Sequence, residues 1–309
     1  MRRHKEAFVE SFDGTRIHYV SQGEGMAIVC CDGIGCDGYA WKYLAEHFRE
    51  RCRIVRWHYR GHGQSETPTD QNLLSIEDCC RDLLTVMDDD GIDKAVLVGH
   101  SMGCQVILEM MRMAPERVLA MVPVCGSYGR PLDTFHDDTK LKKAFPYLYP
   151  LITLFPEPFE AIWKRIVPTE LAWQIAVRGG EINGHMVRKK DFMPYLRYIS
   201  TISLRVFIKM LDHASRHSTE SILPTIKVPV LIVAAEHDSF TPMWLSERMN
   251  KLIPGSEMIV IPEGTHTGPI EMPDMINLRV EKFLVERLQW CPELPLQPST
   301  VVTTDRLMA

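Results

Sequence analysis

The sequence predicts an α/β fold: a doubly wound, mostly parallel sheet with a helical insertion in the middle of the chain. Three observations lead there. Short apolar runs alternate with helical patterns over residues 1–127. The alternation stops over 128–220, where helical patterns broken by Pro146, Pro150, Pro156, Pro158 and Pro168 leave almost nothing strand-like. It resumes near Val228. The expected organisation is a core of residues 1–127 and 221–290, a helical segment of 128–220 and a tail of 291–309.

Each element carries its own signal. Phe8–Phe12 and Ile17–Val20, joined by Asp13-Gly14, read as an antiparallel hairpin. Met26–Cys31 is a continuous apolar run, as for a strand covered on both faces. A helix over Tyr39–Glu50 and a strand over Arg53–Trp57 follow. Ser75-Ile76-Glu77-Asp78 opens a helix with a hydroxyl N-cap and an acid three positions on, the pattern of a capping box. Gly91–Val98 reads as a turn feeding a strand, Cys104–Met113 as a helix that Pro115 stops, and Val118–Val124 as a further strand. After the insertion come a strand at Val228–Ala235, a helix at Pro242–Leu252, a strand at Met258–Ile261 and a last helix through about Leu288. Parallel strands joined through helices imply right-handed crossovers. The insertion holds 13 of the 26 aromatic residues, which fits either a small aromatic core or a cap lining an apolar pocket. From Cys291 the chain is rich in proline, serine and threonine, and an exposed tail is expected.

Composition narrows the function. At 309 residues, 45% hydrophobic and 24% charged, the chain can bury a large core. A net charge of -5 offers no basic surface for nucleic acid. No apolar run approaches the roughly 18–20 residues that span a membrane. The basic start Met1-Arg2-Arg3-His4-Lys5 leads into no apolar signal core. Nine cysteines, with adjacent pairs at Cys30-Cys31 and Cys79-Cys80, lie mostly in apolar segments and read as small buried side chains in a reducing, cytoplasmic setting. Neither C-x-x-C nor H-E-x-x-H occurs, so no metal is expected, and nothing calls for a cofactor.

The most informative segment is Gly99-His100-Ser101-Met102-Gly103. A G-x-S-x-G between a strand and a helix is the setting of a nucleophile elbow, which holds a serine oxygen in solvent at a helix N-terminus. Such a serine needs a base, and the base needs an orienting acid. Asp238, just past the strand ending at Ala235, and His266, just past the strand ending at Ile261, supply both at the strand edge where open α/β sheets place ligands. Glu236 and Asp133 are alternative acids. Asp238 could instead cap the helix before Pro242. His58, His62, His100 and His237 read as surface residues or satisfied hydrogen-bonding partners. Amide donors for an oxyanion would come from Met102 and from the glycine-rich loop Asp32-Gly33-Ile34-Gly35, through Ile34.

With these motifs the chain resembles the α/β-hydrolase superfamily over nearly all of residues 6–290. Tyr59-Arg60-Gly61-His62-Gly63-Gln64-Ser65, similar to that family's structural turn, adds to the likeness. The resemblance implies an eight-stranded sheet, a helical cap after the sixth strand, and a Ser101-Asp238-His266 triad with Ile34 and Met102 as oxyanion donors. Two positions depart from it: the oxyanion loop opens with Asp32-Gly33 instead of His-Gly, and His58 stands where the structural turn begins with aspartate. Haloalkane dehalogenases and epoxide hydrolases of this superfamily use aspartate at the position of Ser101. The expected function is a cofactor-independent serine hydrolase that cleaves a carboxylic ester, thioester or lactone of a small to medium hydrophobic substrate. Carbon–carbon bond hydrolases, perhydrolases and low-turnover ligand-binding receptors are the alternatives within the superfamily.

Overall fold

The alternation read from the sequence is present in the folded chain, which this computed structural model describes over residues 4–291. β1 (His4–Glu10) and β2 (Arg16–Gln22) pair as an antiparallel hairpin. Next come β3 (Ala27–Cys31), α1 (Lys42–Phe48), β4 (Arg53–Trp57), α2 (Ile76–Asp89), β5 (Ala95–Ser101), α3 (Met102–Met113) and β6 (Val118–Gly126). Six helices follow: α4 (Pro131–Thr134), α5 (Lys140–Leu154), α6 (Pro156–Ile166), α7 (Glu170–Arg178), α8 (Lys189–Ile199) and α9 (Leu204–Arg216). β7 (Leu231–Ala235), α10 (Met243–Leu252), β8 (Glu257–Ile261), α11 (Gly268–Glu271) and α12 (Pro273–Leu288) complete the order. Between β6 and β7 none of the described residues belongs to a strand; Gly129 and Ser218 meet in one isolated bridge.

The strands form one eight-stranded sheet in the order β1-β2-β4-β3-β5-β6-β7-β8, antiparallel at β1-β2 and β2-β4 and parallel elsewhere. Two apolar layers cover it. Leu83 and Val86 of α2, Val106 and Ile107 of α3 and Leu245 of α10 pack on one face. Leu44 and Phe48 of α1 and Phe283 of α12 pack on the other. Val96, Leu97 and Val98 of the central β5 are fully buried between them, each side chain contributing about 1.5–3 kcal/mol by leaving water.

Differences from the sequence reading have physical causes. β1 begins at His4 and ends at Glu10, so Phe12 falls in the turn, where its ring covers the Arg60 guanidinium at 4.8 Å. Charged residues at an edge strand hid its start. The helix expected over Tyr39–Glu50 is a single turn of tighter helix, Tyr39–Trp41, followed by α1. Pro146 and Pro150 sit inside α5 and do not end it. Both are exposed, so the carbonyls they leave unpaired can meet water, and Phe145 and Ile152 anchor the other side of the helix in a cluster with Leu204 and Ile208 of α9. The capping box forms: Ser75 accepts the Asp78 amide while Asp78 accepts the Ser75 amide, each at 3.1 Å. The expected tail lies, from residue 292 on, outside the described residues.

Candidate active site

Ser101 ends β5 and turns into α3 with φ 55° and ψ -119°, a costly conformation for any residue with a Cβ. Its neighbours allow it. A Cβ on Gly103 would lie 2.1 Å from the Cys31 carbonyl oxygen, and one on Gly99 2.4 Å from the Gly103 oxygen. Helix α3 therefore starts directly behind the serine. Its first amide, that of Met102, has no partner within the helix.

The loops after β7 and β8 bring the other two residues to it. His266 Nε2 lies 2.9 Å from Ser101 Oγ, and His266 Nδ1 lies 2.9 and 3.0 Å from the two Asp238 oxygens. Asp238 is buried and accepts from the Phe240 and Thr241 amides and the Thr241 hydroxyl at 2.8–2.9 Å. Burial opposes its charge, but His266 and the Thr241 donors outweigh burial and hold the carboxyl below its ordinary value. The alternative acids are engaged elsewhere: Glu236 accepts the Glu263 amide and Asp133 pairs with Lys142.

Supports that the sequence did not announce surround His266. Buried Glu271 of α11 accepts from the Thr265 amide (2.7 Å), the Thr265 hydroxyl (2.6 Å), the Thr267 hydroxyl (2.9 Å) and the Asn183 amide (3.3 Å). It thereby grips both neighbours of His266 and the loop between α7 and α8. The spacing Thr265-His266-Thr267 with an acid four residues on was the available signal. The Phe240 ring stacks on His266 at 4.8 Å. His100, read as a surface or satisfied histidine, is buried in the wall beside Ser101, where its Nε2–H donates to the His266 carbonyl at 2.9 Å and its Nδ1 has no partner among the described residues.

The glycine-rich loop after β3 places Ile34 beside Ser101, and the Ile34 amide makes no hydrogen bond among the described residues. The segment Tyr59–Ser65 props this loop: the Tyr59 hydroxyl donates to the Asp32 carbonyl at 2.7 Å, and the Gly35 amide donates to His62 Nε2 at 3.1 Å. Burial, reinforced by Asp37, pushes the Asp32 carboxyl up to about 8, so it is mostly uncharged at neutral pH. Asp32 lines neither of the cavities described next.

Two apolar cavities meet at the serine. One, of about 230 Å³, is lined by Met102, Leu132, Phe135, Leu141 and Leu211. The other, of about 260 Å³, is lined by Cys36, Tyr39, Ile182, Phe192, Leu196 and His266. Ile34, Ser101, Phe207 and Phe240 belong to both. Two groups of side chains have the types and spacing to hold a metal ion, Glu77-Glu109-His217 and Glu236-His237-Glu263. In the first, Arg112 already pairs with both glutamates, and none of the six residues lines either cavity.

Burial holds three histidines, His100, His62 and His58, in the neutral form. It drives His100 down to about 3 and His62 and His58 down to about 4, from an ordinary value of about 6.5. Each folded value lies below the unfolded one, so the unfolded chain binds more protons between these limits. Stability is therefore complete above about pH 6.5 and falls as the pH drops toward 4, each proton adding up to about 1.4 kcal/mol per pH unit. Urea unfolding across this range is expected to show that slope. His62→Gln, which keeps an acceptor for Gly35, is expected to flatten it by one proton; an unchanged slope would contradict the assignment.

Known proteins share this architecture. The sequence model of the alpha/beta hydrolase fold matches residues 27–273. The chain belongs to the alpha/beta hydrolase fold family. Among its relatives, the "Bifunctional epoxide hydrolase 2" of Mus musculus is 24% identical over 303 residues, covering 89% of this chain and 54% of the relative. The chain thus spans about half the length of that relative. The "Putative 2-succinyl-6-hydroxy-2,4-cyclohexadiene-1-carboxylate synthase" of Bacillus subtilis is 25% identical over 281 residues, covering 88% of this chain and 96% of the relative. A thermophilic esterase structure from Thermogutta terrifontis superposes with a TM-score of 0.72 at 20% identity, covering 91% of this chain and 98% of that one. At that identity the likeness is one of fold.

Proposed function

We propose that this alpha/beta hydrolase is a cofactor-independent serine esterase that cleaves a hydrophobic carboxylic ester through an acyl-enzyme on Ser101. The reading is carried by one observation: the hydrogen-bonded series Ser101–His266–Asp238 stands where two apolar cavities meet. An ester has two arms around its carbonyl carbon, and two cavities offer each arm a dry site. The helices α4–α9 act as the cap: Leu132 and Leu141 wall one cavity, and Phe192 and Leu196 the other.

His266 Nε2 takes the Ser101 proton as Oγ attacks the acyl carbon. The amides of Met102 and Ile34 receive the oxyanion. His266 then protonates the leaving alcohol and afterwards activates the water that frees the acid. Asp238 holds the Nδ1–H tautomer and stabilises the imidazolium. The serine at the elbow favours this chemistry over epoxide opening, for which the superfamily places an aspartate there.

A p-nitrophenyl ester series from acetate to laurate tests the reading. Multiple turnovers are expected, with a preferred acyl length set by whichever cavity takes the acyl arm. Absence of turnover on every ester would contradict it. Glu271→Gln supplies a donor where four donors converge, and is expected to lower kcat on the order of 10²-fold with a smaller change in KM. An unchanged kcat would mean that the Glu271 contacts do not position His266.

A further inference from the structure

The outer faces of α5, α6 and α7 carry large apolar side chains that the described fold leaves open to solvent. Tyr147, Leu154, Phe155, Ile162, Leu171 and Ile175 are each 57–80% exposed. Along α5, Tyr147, Leu151 and Leu154 recur at i, i+4 and i+7, and Leu171 and Ile175 stand one turn apart on α7, so each set forms a stripe. The other faces of these helices are already used. Phe145 and Ile152 pack against α9, and Trp173 and Val177 pack with Phe192 of α8. An apolar surface of this extent marks an interaction site.

Its electrostatics select the partner. Residues 140–190 hold nine Lys and Arg against four Asp and Glu, while the whole chain carries -5; five of the nine cations are ion-paired, Lys140, Lys142 and Arg188 with acids outside the segment and Lys164 and Lys189 with acids inside it. Lys143, Arg165 and Arg178 are exposed on these helices and join no salt bridge among the described residues. We propose that α5–α7 dock onto an anionic lipid bilayer surface, with the apolar stripes in the acyl boundary and these three cations at the headgroups. A second copy of the chain fits less well, because a two-fold interface would press Lys143, Arg165 and Arg178, which join no salt bridge among the described residues, against the same face of its partner. No helix of the described residues is long and apolar enough to cross a membrane, so the docking is peripheral. Two of these helices, α5 and α7, also line the cavities at Ser101, through Leu141 and Ala176.

Co-sedimentation of the full chain with vesicles tests the proposal, using phosphatidylcholine alone and phosphatidylcholine with about a third phosphatidylglycerol. Binding to the anionic vesicles is expected, and it should weaken with added salt. Lys143→Glu with Arg165→Glu is expected to weaken it by roughly tenfold or more. Leu154→Ser with Ile162→Ser and Ile175→Ser is expected to abolish it, with circular dichroism and short-ester hydrolysis unchanged. The proposal is overturned if the wild type stays in the supernatant with both vesicles, or if the variants bind as the wild type does. A concentration-dependent dimer that the serine substitutions dissolve would assign the surface to a second copy and overturn it as well.

Discussion

Ser101→Ala is expected to lower kcat for ester hydrolysis by a factor on the order of 10⁶, with little change in fold or KM. Alanine fits the elbow, whose φ of 55° is strained for serine and alanine alike, so stability should barely move. What disappears is the hydroxyl 2.9 Å from His266 Nε2. His266→Ala is expected to cost nearly as much, and the double variant little more, because the residues act as one unit. Additive losses would mean that Ser101 and His266 work in separate steps. Steady-state kinetics on one good ester, with enzyme freed of wild-type traces, distinguishes the two.

The second large effect is on stability. Arg60 is fully buried, its Nε 2.7 Å and Nη2 2.6 Å from the two Asp82 oxygens, while Nη1 donates to the Leu73 carbonyl at 2.8 Å and pairs with Asp13 at 3.2 Å. Arg60→Leu strands the Asp82 carboxylate in the interior with the Ser11 hydroxyl as its remaining side-chain donor. A loss of about 3–5 kcal/mol is expected from breaking such a pair. Arg60→Leu with Asp82→Leu removes both charges and is expected to recover much of that loss, since two apolar side chains need no compensation. Denaturant unfolding of the single and double variants measures it; a double variant no more stable than the single would contradict the charge explanation. Activity should fall together with stability in the single variant. Arg60 stands between Tyr59 and the segment that holds His62, and both of these support the loop carrying Ile34.

Much of this architecture is legible from residue patterns. The continuous apolar runs at Ala27–Cys31 and Ala95–Val98 mark strands buried on both faces, and the elbow sequence marks the strand-to-helix turn. Ser101, Asp238 and His266 stand out because each follows a strand on the same sheet edge, so their convergence follows from topology. Their supports are harder to read. Glu271 acts through a loop that folds back on itself and through the Asn183 amide, 88 residues away, which no local pattern announces. His100 looks like an ordinary elbow residue until its ring is placed against the His266 carbonyl. The two cavities are lined in part from helices whose shared property is apolar composition, and composition does not say which face of a helix meets a cavity. The prolines of α5 mislead for a related reason: propensity opposes a helix there, while burial of Phe145 and Ile152 supports it.

The most direct measurement is the intact mass of the protein quenched early in turnover of a slowly deacylating ester, followed by peptide mapping. The expected result is an acyl adduct on Ser101 that forms and decays in the wild type and is absent from Ser101→Ala. Full hydrolysis with no adduct at Ser101, or an adduct that persists in Ser101→Ala, would contradict an acyl-enzyme on this serine.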